Sequence, residues 1–491
     1  MIKDKQTYLT VFHTTEQTLE DLVGTALAHG GDYADLFFEN TTYSNLMLRD
    51  GQVSSGGFHV DFGVGIRVLK GEKTGYAYSE STDPAAMASA ARAASAIAQG
   101  STPPARVSSP GIQSIAREDG YVPQLYKGKP NPAADRYPVV RDWRDAETSA
   151  FIPVMNRLHE TITSADPRVV KVIAMLSWQV SDILMYNAYG ELKYETRPMG
   201  TLAVSVILAD GKETVSTHAS RSFRCGAEML TDKITDELSQ AALRNMDDRF
   251  AARRPKGGKM PVVMGAGASG ILLHEAMGHA FEADFNRKGQ SVFADKLGRK
   301  ICRSGITIVD DGTLKGNRGA LNFDDEGVPA QRTCMVEDGV LTSFLHDRIS
   351  ARYYGVAPTG NGRRESFRYA PIPRMRATYM ESGDADPADI IASVSKGIYV
   401  DEFANGQIKI GEGDFTFYVK SGYLIENGKL TQPVKDINII GNGPQALADI
   451  TAVGRDGTID DGAWTCGKEQ SCPVSCGIPT VLVSSLTVGG N

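Results

Sequence analysis

Pro261-Val262-Val263-Met264-Gly265-Ala266-Gly267-Ala268-Ser269-Gly270-Ile271-Leu272-Leu273-His274-Glu275-Ala276-Met277-Gly278-His279 carries two competing signatures. Residues 261–264 read as a strand, and a helix begins near Ser269. Between them stands a literal G-x-G-x-x-G, Gly265 to Gly270, the pattern that cradles a dinucleotide pyrophosphate. That reading also needs a strand ending in Asp or Glu about 20 residues on. No such strand is evident, and the following helix carries histidines instead. The plainer account of the glycines is a turn that lets the backbone pass close to another segment.

The second signature is His274-Glu275-Ala276-Met277-Gly278-His279. Neutral imidazole is the commonest protein ligand for a transition metal, and a carboxylate beside a metal-held water suits general-base work. The familiar peptidase spacing, H-E-x-x-H, puts both histidines on one helical face. Here they are five apart, about 140° around an ideal helix. Two local distortions would bring them together. One is a π-bulge, which closes an i→i+5 turn. The other is a helix that distorts or ends at Gly278. Without either, His279 is a surface or core histidine.

A catalytic zinc takes three protein ligands and leaves a position for water. Candidates for the third are the other six histidines, the cysteines and Glu282. His13 and His29 show no metal-like spacing. Cys466 is the most promising, because it precedes Gly467 in a turn and lies near Lys468, which would favour a thiolate. Cys472 and Cys476 follow it at spacings that fit no common zinc or iron–sulfur pattern, so buried free thiols are the expectation for both.

Further out, an amphipathic helix fits Thr18 to Ala28, and an Ala-rich one fits Asp83 to Ala98. Strands are expected at Leu36–Glu39, through Val64, Ile66 and Val68, and at Thr74–Tyr78 after a Lys70–Lys73 turn. Thr201–Leu208 and Glu213–Thr217 form a hairpin around Ala209–Lys212. Residues 100 to 143 read as an irregular connection. The stretch Arg253-Arg254-Pro255-Lys256-Gly257-Gly258-Lys259 reads as a linker, which places a boundary between residues 1–250 and 251–491. Beyond it the chain is rich in strands and turns, with hairpins at Asp338-Gly339 and Asn427-Gly428. Their flanks resemble each other, which shared hairpin chemistry explains more simply than duplication.

The chain has 491 residues and a net charge of -7, with no basic footprint for nucleic acid beyond a local pair, Arg363-Arg364. No apolar run approaches the roughly 18–20 residues that cross a bilayer. The first residues lack the apolar core of a signal peptide. A cytoplasmic location without membrane is therefore expected. There, the six cysteines serve as thiols or metal ligands rather than disulfides.

Longer blocks carry a resemblance. Gly63–Tyr78, Ser220–Gly226, Gly270–His279 running into Asp284–Gly289, Asp324–Gly327, Pro358–Ser366, Pro373–Met375, Ile440–Pro444 and Thr465–Glu469 are similar to the TldD/PmbA (TldE) family of metallopeptidases. The resemblance implies an H-E-x-x-x-H zinc site held by His274, His279 and Cys466, with Glu275 as general base. It implies an α+β fold in two parts, an N-terminal α/β-sheet domain and a strand-rich C-terminal domain that carries the zinc. It also implies a dimer enclosing a cavity for unfolded peptide, formed with a PmbA/TldE-like partner or with a second copy. Because the metal motif is present, the chain resembles the catalytic-type subunit. It departs from the family run G-K-E-G-Q-S by one glycine at Gly467-Lys468-Glu469-Gln470-Ser471.

The expected activity is zinc-assisted hydrolysis of short or unfolded peptides. Arg363 and Arg364 are candidates to orient a substrate carboxylate or backbone; a structural ion pair with an acid such as Glu365 is the alternative. The rival class is a zinc-stabilised regulatory protein that binds partners without catalysis. Its metal site would be closed by four protein ligands.

Overall fold

Alternating apolar residues run through six long segments of the first half, and all six become strands of one sheet. The computed structural model describes residues 4–100, 135–137, 139–409 and 412–489. The connection expected over residues 100 to 143 lies largely outside these. The strands are β1 (Tyr33–Arg49), β2 (Gln52–Lys70), β3 (Lys73–Ser79), β4 (Val169–Asn187), β5 (Leu192–Asp210) and β6 (Glu213–Phe223). They lie in the order β3-β2-β1-β4-β5-β6, every neighbour antiparallel. The expected strand segments fall inside longer strands.

Two layers cover this sheet. The helix Glu16–Leu27 starts at Thr15, whose hydroxyl accepts the Thr18 N–H. Its Leu19, Leu22, Val23 and Ala26 pack with Ala91 and Ala94 of helix Pro84–Gly100 onto Leu36, Phe38, Val64 and Ile66. Further along the sheet, helices Ile152–Ala165 and Asp232–Leu243 bury Leu176, Val204 and Val206. Side chains alternate across a strand, so Phe37 of β1 points the other way. There it joins Ile183 and Met185 against Phe323 and Phe367 from the second half of the chain.

The second half is strand-rich. β7 (Gly258–Met264) belongs to a seven-stranded sheet with Lys396–Ile408, Val481–Gly489, Asn438–Asn442 and Asp414–Glu426. The pairing of Lys396–Ile408 with Asp414–Glu426 closes these strands on themselves. Val262, Ile398, Phe417, Ile439 and Val483 lie within their shared core. A second sheet contains Ile308–Asp311, Arg332–Glu337, Ala377–Met380 and Ser475–Ile478. Fold class is α+β in two parts, as the sequence indicates. Among the described residues no helix is long and apolar enough to cross a membrane.

Both predicted hairpin turns carry two residues of positive φ: Asp338 at 48° with Gly339 at 82°, and Asn427 at 52° with Gly428 at 74°. This is the type I′ geometry that matches strand twist. They sit in different sheets. The glycine pattern after β7 is likewise structural. A Cβ on Gly270 would lie 2.5 Å from the Gly477 nitrogen, so the helix starts in backbone contact with a strand. The helix is only seven residues long, Gly270–Ala276. Close passage accounts for Gly270, whereas Gly267 takes a positive φ of 84° with open space around it.

Charges also join the halves. Arg67 of β2 is fully buried and stands opposite Asp35 of β1. Its Nε donates to Asp35 Oδ2 at 2.8 Å, and its Nη1 donates to Glu326 Oε1 at 2.6 Å. Removing one member of a buried ion cluster leaves the others uncompensated, at a cost of roughly 3–5 kcal/mol. Arg67→Met is expected to lower unfolding free energy by about that amount. Loss of the exposed Lys5–Glu16 pair should change it far less. Urea unfolding of both variants checks this; equal effects would show that the Arg67 cluster does not hold the halves together.

Candidate metal centre

The helix bearing His274 ends at Ala276. Met277 leaves helical geometry at φ −126°, ψ −45°, and a 3-10 turn, Gly278–Phe281, carries His279. The second of the two distortions therefore occurs, and no π-bulge forms. A Cβ on Gly278 would lie 2.2 Å from the Met375 sulfur, so a larger residue where the chain turns would have to displace that side chain. The break brings the two imidazole rings to 5.3 Å between centroids, at 78° to each other.

Cys466 arrives from a hairpin, Thr465–Lys468 paired with Gln470–Pro473. Its Sγ lies 3.2 Å from His279 Nε2. Ligand atoms of His274, Glu275, His279 and Cys466 all fall within 4.8 Å of one another. His274, His279 and Cys466 are buried, whereas the Glu275 side chain is 26 % exposed. Glu275 is thus the one member that outside solvent can reach. Its carboxylate lies 3.7 Å from His279 Nε2 and 4.0 Å from His274 Nε2.

Three observations fit a metal ion. Neither ring nitrogen of His274 makes a hydrogen bond, although both are buried; such orphans are rare without a missing partner. Second, His279 Nδ1 is held by Glu282 Oε2 at 2.8 Å. That turns Nε2, with its lone pair, toward the cluster, in the arrangement typical of ligating histidines. Third, the sulfur is primed to ionise. Burial pushes the Cys466 thiol up, but the His274 and His279 rings outweigh it and hold it at about 4. Burial likewise opposes protonation of His279, yet Glu282 and Cys466 raise it to about 10. Burial works against protonation of His274 too, and Cys466 raises it. A divalent cation would replace the protons that now balance these charges.

Glu282 is weighed in the sequence as a ligand, but it stands behind His279 instead. It is fully buried. Burial alone would raise its carboxyl, but Lys468 and His279 hold it well below the usual range. Lys468 Nζ donates to Glu282 Oε2 and Asp284 Oδ1, both at 2.9 Å, and to the Pro373 carbonyl at 3.1 Å. Its expected role beside the thiol is therefore corrected: Lys468 neutralises the carboxylate that aims His279. Arg374 Nη2 donates to the Cys466 carbonyl at 2.7 Å and Nη1 to the Gln470 carbonyl at 2.6 Å, which fixes the hairpin. Arg374 and Asp284 lie in the family blocks of the sequence, but nothing local singles them out.

The shortened turn after Lys468 is closed by Glu469 alone, at φ 57°. Cys472 lies opposite Cys466 in the hairpin, and Cys476 lies in the strand Ser475–Ile478. Both are buried free thiols outside the cluster, with burial pushing each thiol up. Arg363 and Arg364 also lie outside it. Arg363 Nη2 donates to the Pro473 carbonyl at 2.8 Å. Arg364 pairs with Asp35 at 3.5 Å and stacks 4.3 Å above Phe37. Glu365 is not its partner; that carboxylate accepts the Ser471 N–H.

A protein from Haemophilus influenzae named metalloprotease TldD homolog is 36% identical over 490 residues, covering 99% of this chain and 98% of its own. The chain belongs to the PmbA/TldD metallopeptidase family. Family models match residues 34–98 (PmbA/TldA metallopeptidase domain 1), 141–246 (central domain) and 257–490 (C-terminal domain). A second family member of the same name, from Buchnera aphidicola, is 34% identical over 467 residues, covering 94% of this chain and 93% of its own. The crystal structure of TldE from Thermococcus kodakarensis shares the fold at a TM-score of 0.70 and 18% identity, covering 96% of this chain and 100% of that one.

Partners behind a ligating histidine are worth about 10–100-fold in metal affinity. Glu282→Gln is therefore expected to weaken metal binding by about that factor, because His279 loses its carboxylate and Lys468 its counter-charge. Competition with a chelator measures it. An unchanged affinity would mean that Glu282 does not aim His279.

Proposed function

We propose that this family member is a zinc metallopeptidase that hydrolyses short or unfolded peptides. The observation that carries the reading is the convergence of three buried donors beside one half-buried carboxylate. Two imidazoles and a thiolate suit zinc and leave a position open. In this reading His274, His279 and Cys466 hold the ion, residues 251–491 supply the whole site, and residues 1–250 form a separate part.

Zinc bound there would supply Lewis acidity toward the scissile carbonyl. Glu275 takes the proton of the attacking water and returns it to the leaving amine. Its partial exposure lets substrate and water reach it. Glu282, held by Lys468, fixes the His279 ring so that only Nε2 faces the cluster. An extended peptide is the expected substrate, and a PmbA/TldE-like chain or a second copy the expected partner.

Glu275 also stands near enough to complete a closed four-ligand site, so its substitution separates the catalytic reading from the regulatory one. Glu275→Ala is expected to retain zinc and lower peptide cleavage by about 10²–10⁴-fold. Cleavage that survives at matched zinc content would remove Glu275 as the base; loss of the zinc would make it a ligand. Cys466→Ser should lose stoichiometric zinc on dialysis. Full retention, measured by atomic emission, would exclude Cys466 as third ligand.

A further inference from the structure

An open cleft separates β1, β4 and β5 from the 363–366 segment. Glu39, Arg197, Arg224, Asp325, Arg363 and Pro473 are among its lining residues. It reaches the hairpin of the candidate site, because Pro473 pairs across that hairpin with Thr465, the neighbour of Cys466.

Some buried arginines at this joint have carboxylate partners, whereas Arg318 and Arg376 donate to carbonyls and hydroxyls. Arg67 has Asp35 and Glu326, and Arg197 has Glu195 and Asp325. Arg224 and Arg363 are 4% and 3% exposed, yet neither pairs with a carboxylate among the described residues. Arg363 spends its terminal nitrogens on the Met375 and Pro473 carbonyls. Among the described residues the Arg224 side chain donates only through Nε, to the Arg318 carbonyl at 3.1 Å. Its two terminal nitrogens have no partner among the described residues.

The acids nearby do not neutralise them. Asp325 is engaged by Arg197, and Glu365 accepts the Ser471 N–H. Glu39 accepts the Thr41 hydroxyl and the Phe367 N–H, and burial pushes its carboxyl up to about 7, so much of its charge is absent at neutral pH. Burial, with the Arg197 and Arg363 charges, brings Arg224 down to about 9. A buried guanidinium without a counter-ion is costly, and its planar fork matches a carboxylate with two parallel hydrogen bonds.

We propose that this cleft is a carboxylate-binding site anchored by Arg224, which takes an acidic group of a bound peptide. It rests on the peptidase reading for the nature of the ligand. Either a chain terminus or an acidic side chain supplies the group.

The test is fluorescence anisotropy with the full chain carrying Glu275→Ala, so that no probe is cleaved. A labelled neutral hexapeptide is compared as free acid and as C-terminal amide. An amidated hexapeptide is compared with Glu or Gln at one internal position. One acid of the two pairs is expected to bind about tenfold tighter than its neutral counterpart, which identifies the source. Arg224→Gln should bring that ratio to about one, while Arg224→Lys keeps part of it. Thermal unfolding verifies that the variants fold, and Arg224→Lys carries the test if Arg224→Gln does not. Equal affinities within both pairs, an acid preference that survives Arg224→Gln, or no binding at millimolar peptide overturns the proposal. An acid preference without any cleavage by the Glu275 form overturns only the peptidase reading.

Discussion

Glu282 is a single carboxylate with no access to water, and three separate segments converge on it. His279 binds one of its oxygens from the turn after the broken helix, and Lys468 binds the same oxygen from the cysteine hairpin. The Met375 N–H reaches the other at 3.3 Å. A lone buried carboxylate would be strongly destabilising. Surrounded by a lysine, a histidine and a backbone donor, it becomes the tie that fixes one ring and one hairpin in register. Cys466 meets His279 because Lys468, two residues further along the strand, is drawn to the same acid.

The same economy recurs at the joint between the halves. Arg67 and Arg197 link strands of the first sheet to Glu326 and Asp325, and Arg364 reaches back to Asp35 of β1, beside the apolar contact of Phe37 with Phe323 and Phe367. These cations are matched; Arg224 and Arg363 are not. The contrast separates guanidiniums balanced by acids of the chain from guanidiniums that are not. Burial makes both kinds costly, and only the first kind offsets that cost within the chain.

Periodicity and turn chemistry disclosed the local elements. The Leu19, Leu22, Val23 and Ala26 face is buried where the pattern put it, and the Asp338-Gly339 and Asn427-Gly428 turns take the conformations their residues favour. The glycine pattern before His274 was ambiguous in itself, because the same residue type serves a ligand and a neighbouring strand equally well; the missing acidic strand favoured the turn. Spacing posed the question at Gly278 but did not answer it: a helix can absorb an extra residue as a bulge or as an end. The packing of Met375 against Gly278 accompanies the end.

By itself, the sequence determined the α+β character, the family, and the pair of histidines with its intervening glutamate, since these depend on short-range spacing and extended motifs. Tertiary structure decided which way the helix breaks, why Glu282 stands behind His279 rather than in the cluster, that Lys468 serves an acid and not the thiol, and that Arg224 lacks a counter-charge. Each of those depends on burial and on partners far along the chain; Lys468 and Glu282 are 186 residues apart. A charged residue looks the same in sequence whether it faces water or another charge. Only the folded chain fixes what it must pair with.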